Sequence, residues 1–124
     1  MNDRIRVLSV DDHPRTREGI GLVINSQPNM LIVAQASNGR EAIKLFREHE
    51  PDVTLMDLRL PDMSGIDATV AIRTEFPESR IIILTTFDSD TVQQRALAAG
   101  ASAFVLKSLP PGKLLETVHK VNPG

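Results

Sequence analysis

Five short apolar runs constrain this chain more than any other feature: IRVLSV (5–10), LIVAQA (31–36), DVTLMD (52–57), RIIILTT (80–86) and AFVLK (103–107). Each is too short for a globular helix, rich in β-branched residues and without clean polar alternation, the pattern of parallel strands covered on both faces. Helical patterns with readable ends lie between them. Pro14 suits the first turn of helix one. Ala42, Ile43 and Phe46 stripe helix two, which must stop before Pro51. Helix three is expected from about Gly65 to Phe76, halted by Pro77. Asp88 or Ser89 caps helix four, Gly100 ends it, and Leu114, Leu115, Val118 and Val121 stripe helix five. Strand and helix alternate five times, which makes a (βα)5 chain of the α/β class. At 124 residues there is room for one core and not two.

Right-handed crossovers and five strands favour a doubly wound, flavodoxin-like parallel sheet of order 2-1-3-4-5, with strands one and three adjacent at the switch point. Ligands of such sheets bind beyond the carboxyl ends of the strands. Those ends carry Asp11 and Asp12 after strand one, Asp57 after strand three, Thr85 and Thr86 after strand four, and Lys107 after strand five. Three carboxylates meeting in one crevice repel each other, so a cation belongs among them. The donors are hard oxygens, which select Mg2+ or Mn2+ over zinc. A lysine and a threonine across the crevice suit a phosphoryl group, and the third acid can then be the nucleophile that accepts it.

Taken singly these residues have plainer readings: Asp11-Asp12 as a helix N-cap with a first-turn acid, Asp57 and Thr85 as strand-end residues, Lys107 as a solvated charge. Their joint occurrence at adjacent strand ends favours the site. His13 reads as helix-capping surface rather than as a ligand. The balance of 14 Lys and Arg against 16 Asp and Glu leaves a net charge of -2, so no broad cationic face is expected to grip a nucleic acid. All four aromatics are Phe, too few for base stacking. There is no cysteine, no run long enough for a membrane span and no signal-peptide pattern at residues 1–4, and the expectation is a soluble, cytoplasmic protein.

In order and spacing, Asp11-Asp12, the segment LMDLRLPDMSG with Asp57, Thr85 and the FVLK segment ending at Lys107 resemble the receiver domain of two-component response regulators. DDHP, LTTFDSD and LAAGASAFVLKSLPPGKL are similar to the LuxR-type (NarL/FixJ) transcription regulators. The resemblance implies a receiver domain over 1–121, with Asp57 as phosphoacceptor for a sensor histidine kinase. It implies Mg2+ held by Asp12 and Asp57, by Asp11 largely through water, and by the backbone carbonyl of Arg59. Lys107 would pair with the phosphoryl oxygens and Thr85 bond them, with Phe104 following Thr85. Arg59 and Phe87 would line the approach. The output face would be the loop after strand four, helix four, strand five and helix five. Residues 122–124 would begin a linker to a helix-turn-helix domain absent from this chain, through which alone DNA is contacted, and a homodimer is expected. Two departures from the commonest pattern are Ser108 in place of proline after Lys107 and Phe104 in place of tyrosine.

Other aspartyl or flavodoxin-like chemistries fit less well. A metal-dependent phosphohydrolase would want an acid where Arg59 stands. A flavin carrier would want a Ser-, Thr- or Gly-rich loop where DDHP stands. An unphosphorylated pseudo-receiver would not need Asp12, Asp57 and Lys107 together.

Overall fold

The computed structural model describes residues 4–122. Its elements run β1 (Ile5–Val10), α1 (Pro14–Asn25), β2 (Met30–Ala36), α2 (Gly39–His49), β3 (Val53–Asp57), α3 (Gly65–Glu75), β4 (Ile81–Thr85), α4 (Asp90–Ala98), β5 (Ala103–Leu106) and α5 (Pro111–Val121). The strands form one parallel sheet in the order β2-β1-β3-β4-β5, as the alternation of strand and helix patterns requires. One irregularity interrupts the β1–β2 ladder between Val7 and Leu8, where Val33 is left without a partner in the register.

The pleat divides the core in two. Leu8, Val10, Met56, Ile81 and Ile83 point to the side covered by α2, α3 and α4, where they meet Phe46, Ala68, Ile72 and Ala96. Val7, Val53, Leu55, Ile82 and Leu84 point to the other side, against Ile24 of α1 and Leu114 and Val118 of α5. This two-sided burial is why the central runs show no polar alternation. The edges differ from that expectation: β2 is half-buried over most of its length with Gln35 exposed, and only Val105 of β5 is fully buried. An edge strand has one neighbour fewer, and its helices cover it incompletely.

Helix boundaries follow local chemistry. Pro14 opens α1. Asn38 Oδ1, Ser64 Oγ and Ser89 Oγ accept the N–H groups of Glu41 (2.8 Å), Asp67 (3.0 Å) and Val92 (3.3 Å), so Ser89, not Asp88, caps α4. Glu50 in the left-handed region ends α2 before Pro51. Gly100 (φ +106°) ends the α4 segment, and Ala101 N–H returns to Ala96 O at 3.0 Å, the wrapped helix end that glycine permits. The fastening of the helices is unequal: α3 buries Gly65, Ala68, Thr69 and Ile72, whereas α4 fully buries only Ala96. Of the expected linker at 122–124, Pro123 and Gly124 lie outside the described residues. Among the described residues no helix is long and apolar enough to cross a membrane.

Candidate functional site

The chain leaves β1 through Asp11, whose N–H still bonds Ala36 O of β2 at 3.0 Å, so this residue is held almost as rigidly as the sheet. Its carboxylate is 1% exposed. One oxygen, Oδ1, accepts the N–H of His13 at 2.9 Å and thereby turns the chain into α1. The other, Oδ2, faces Lys107 Nζ at 2.7 Å. Arg17, one turn into α1, donates to the Asp11 carbonyl at 2.7 Å. Asp12 is exposed. The reading of Asp11-Asp12 as a helix cap does not hold, since His13 occupies the N-cap position and the first turn of α1 has no acid.

Asp57, 6% exposed, is the last residue of β3, the neighbour of β1. Its Oδ1 lies 3.3 Å from the same Lys107 Nζ. Lys107 follows β5 directly and donates its backbone N–H to Thr85 O at 2.8 Å, an extension of the β4–β5 ladder that aims its side chain back across the sheet end. One ammonium thus bridges two buried carboxylates on adjacent strands. Burial pushes the Asp57 carboxyl above its usual value; Lys107 opposes that rise and the charge of Asp11 adds to it.

Thr85 is buried at the end of β4, with its hydroxyl accepting the N–H of Phe87 at 3.0 Å; Thr86 is exposed. The Arg59 guanidinium lies 5.4 Å from the centre of the Phe87 ring, a cation–π contact across the mouth. Asp57, Arg59, Thr85, Thr86, Phe87 and Lys107 line one cleft of about 360 Å³, which Thr16 and His13 complete on the α1 side. Phe104 is not among them. It is half-buried against the α2–α4 side of the core, beside Ile83 in the sheet register. The bond between Lys107 and Ser108 is trans.

Oxygens of Asp11, Asp12 and Asp57 and a ring nitrogen of His13 come within 4.8 Å of one another. That span is close to the roughly 4.2 Å across an octahedral Mg2+ shell, and three carboxylates make a hard, anionic donor set that suits such an ion. The direction of the His13 ring is what the sequence does not give. His13 stands at the helix cap as expected, yet its ring caps nothing; Nδ1 sits 3.2 Å from Asp11 Oδ1 and 3.1 Å from Asp12 Oδ1.

Sequence reasoning also missed three supporting features. Arg17 was not singled out, although its spacing on α1 brings it back over the β1 end. Gly65 packs so closely beneath Asp57 that a Cβ there would overlap the Asp57 carbonyl oxygen. Asp62, in the loop after β3, reaches the start of α2, where Gly39 and Arg40 donate their N–H groups to it at 2.8 and 2.9 Å. A glycine opening a helix immediately after a serine cap was the only visible trace of the second feature.

Comparison with known proteins agrees with this geometry. Residues 7–119 match the response regulator receiver domain. The uncharacterized transcriptional regulatory protein YxjL of Bacillus subtilis is 39% identical over 117 residues, which are 94% of this chain and 54% of that protein. The chain spans about half the length of the curated relatives it matches. A LuxR-family two-component response regulator from Aurantimonas superposes with a TM-score of 0.95 at 39% identity, covering 98% of this chain and 86% of the other. CheY of Borrelia burgdorferi, solved in a CheX-CheY-BeF3-Mg+2 complex, gives 0.90 at 27% identity over 95% of this chain and 89% of the other. With the fold, the strand-end acids and the bridging lysine in place, the chain belongs to the response regulator receiver domain family.

Proposed function

We propose that the chain is a phosphorylation-operated switch in which Asp57 accepts a phosphoryl group from the phosphohistidine of a sensor kinase. The observation that carries this reading is the Lys107 ammonium held between Asp11 and Asp57, at 2.7 and 3.3 Å, on the floor of an open cleft. A carboxylate oxygen of Asp57 forms the new P–O bond as the P–N bond breaks, and the departing imidazole keeps the electron pair and regains a proton from solvent. Asp12, Asp57 and the backbone carbonyl of Arg59, with Asp11 largely through water, would hold Mg2+, which when bound would supply positive charge against the transferred group.

The chain's own groups supply the rest. Lys107 already touches Asp57 and can follow the added negative charge, an ammonium being well suited to phosphoryl oxygens. The Thr85 hydroxyl, now engaged with Phe87 N–H, gives up that bond to donate to the phosphoryl group, and Phe104 repacks into the space Thr85 vacates. Thr86 offers a further hydroxyl at the mouth. Arg59 and Phe87 form a rim that lines the approach to the phosphoaspartate. The 87–89 loop, α4, β5 and α5 are the face that changes.

The receiver occupies residues 1–121 and works in the cytoplasm. In the intact protein it is followed, after a linker, by a helix-turn-helix segment through which DNA is bound, and the activated form is a homodimer. The family's regulatory role, the transcriptional description of YxjL and the Mg2+ in the CheY complex support this reading.

Intact-mass spectrometry after incubation with acetyl phosphate tests it. A gain of about 80 Da that requires Mg2+, is absent in Asp57→Ala and is lost in hydroxylamine is expected for an aspartyl phosphate. No adduct on a folded wild type, or an adduct that persists in Asp57→Ala, would overturn the assignment.

A further inference from the structure

The loop between β3 and α3, residues 58–64, carries Arg59 and is fastened in two ways. Its ends are tied to each other: Gly65 N–H donates to Leu58 O at 2.7 Å, and Arg59 bridges Ser64 in antiparallel fashion. Its apex is tied to a different element. Asp62 accepts Gly39 N–H on Oδ1 and Arg40 N–H on Oδ2, two first-turn donors of α2 that no intrahelical carbonyl can reach. Met63, the next residue, lies so close over Gly39 that a Cβ there would overlap its side chain. The third first-turn donor, Glu41 N–H, is taken by Asn38. Asn38 therefore caps α2 from within, and Asp62 grips it from a loop 22 and 23 residues further along the chain.

We propose that Asp62 is a positioning residue for the divalent cation: by clamping the 58–64 loop to α2, it fixes the Arg59 backbone carbonyl where the cation is bound. This inference rests on the metal reading given above. The two N–H groups of α2 hold the Asp62 carboxyl below the usual carboxylate range, Gly39 contributing most. Asp62 is exposed, so its through-space charge is screened by water and the geometry of two hydrogen bonds carries its effect. Binding linkage is reciprocal: if the clamp strengthens metal binding, the metal must strengthen the clamp. A residue that only completed the α2 cap would show neither coupling.

The test is isothermal titration of the unphosphorylated chain with MgCl2, paired with amide hydrogen exchange at Gly39 and Arg40. Asp62→Ala is expected to raise the Mg2+ Kd about tenfold, in the range found for outer-shell partners of metal ligands. Asp62→Asn, which keeps one acceptor, falls between. Asn38→Ala damages the same helix start without releasing the loop and keeps the wild-type Kd. In the wild type, saturating Mg2+ slows exchange of the two amides. Unchanged affinity in a folded Asp62→Ala, equal weakening by Asn38→Ala, or amide exchange indifferent to Mg2+ would each overturn the proposal. Should the alanine variant not fold, the exchange measurement on the wild type decides alone. Absence of Mg2+ binding by the wild type would instead remove the metal reading itself, and this inference with it.

Discussion

Three helical glycines allow a prediction in which one substitution has opposite signs at different sites. Gly65 opens α3 in full burial, and its φ is not in the left-handed region, so the demand for glycine there is one of space rather than of conformation. An added Cβ would overlap the Asp57 carbonyl oxygen and lie 3.0 Å from its carbon and 3.1 Å from Leu58 Cα. All three obstacles are backbone, at the end of a central strand, and none can swing aside as a side-chain tip would. Overpacking of this kind costs about 3 kcal/mol, against at most roughly 1 kcal/mol from the better helix propensity of alanine, an interior value that the first helical position realises only in part. Gly65→Ala should therefore lose about 2 kcal/mol net, which at roughly 4 °C per kcal/mol for a domain of this size lowers Tm by about 8 °C.

Gly19, in the middle of α1, has nothing among the described residues within 4 Å of its ideal Cβ apart from its own stretch of helix backbone. Gly19→Ala should gain about 0.5–1 kcal/mol, and Gly112→Ala, within the first turn of α5 and equally unobstructed, should gain less. Urea unfolding followed by far-UV circular dichroism reads all three, since the chain has neither Trp nor Tyr for fluorescence. Gly65→Ala should also slow acetyl phosphate labelling, because whatever moves to admit the methyl group moves Asp57, while Gly19→Ala labels at the wild-type rate. A Gly65→Ala variant as stable as wild type, or a Gly19→Ala variant less stable than it, would refute the steric argument.

Lys107→Ala leaves the 1% exposed Asp11 without its ammonium. In Mg2+-free buffer it should cost about 3 kcal/mol, and added MgCl2 should recover part of that loss, both read from urea midpoints. Since burial raises the Asp57 carboxyl, the folded chain holds that proton more tightly than the unfolded one, and ionisation costs stability as pH rises through the folded value. Asp57→Asn should then be more stable than wild type at pH 7 in metal-free buffer, with the gain vanishing below the unfolded value of about 3.9; thermal melts across the pH range would expose a gain that persists in acid. Thr54, 0% exposed on central β3, has a hydroxyl oxygen with no hydrogen-bond partner among the described residues. Thr54→Val should stabilise by about 1 kcal/mol, and a loss on urea unfolding would mean that the hydroxyl is satisfied after all.

Much of the fold was legible because its signals are local. Pro14, Pro51, Pro77 and Gly100 act on their own backbone and mark boundaries wherever the chain goes. The central runs are apolar because helices cover both faces, so their strands are found to within a residue or two, with β4 trimmed to 81–85 and β5 to 103–106. The site residues could be named because topology brings strand ends together without any knowledge of side-chain direction. Direction is where legibility stopped. Nothing in DDHP says that the His13 ring folds back on both acids, or that Lys107 lies closer to Asp11 than to Asp57. Asp62 in an LPDMSG loop has the composition of a turn. Its reach to α2 depends on how β1, β2 and β3 stack, a relation between segments more than twenty residues apart that periodicity does not encode.

The unequal fastening of the helices bears on how such a domain can move at all. A helix whose one fully buried side chain is an alanine, with Val92 half-buried beside it, gives up little when it slides, since each methyl-sized group is worth only about 0.8 kcal/mol. Driving a two-state equilibrium from 1:99 to 99:1 takes about 5.5 kcal/mol, and very little of that need be spent prising α4 off the sheet. Of the larger apolar side chains on this helix, Val92 is only half-buried against the core and Leu97 faces out, whereas α3 fully buries Ile72. On the switch proposed above, two seatings of α4 would thereby lie close in energy, and a few new bonds at the mouth of the cleft would suffice to choose between them.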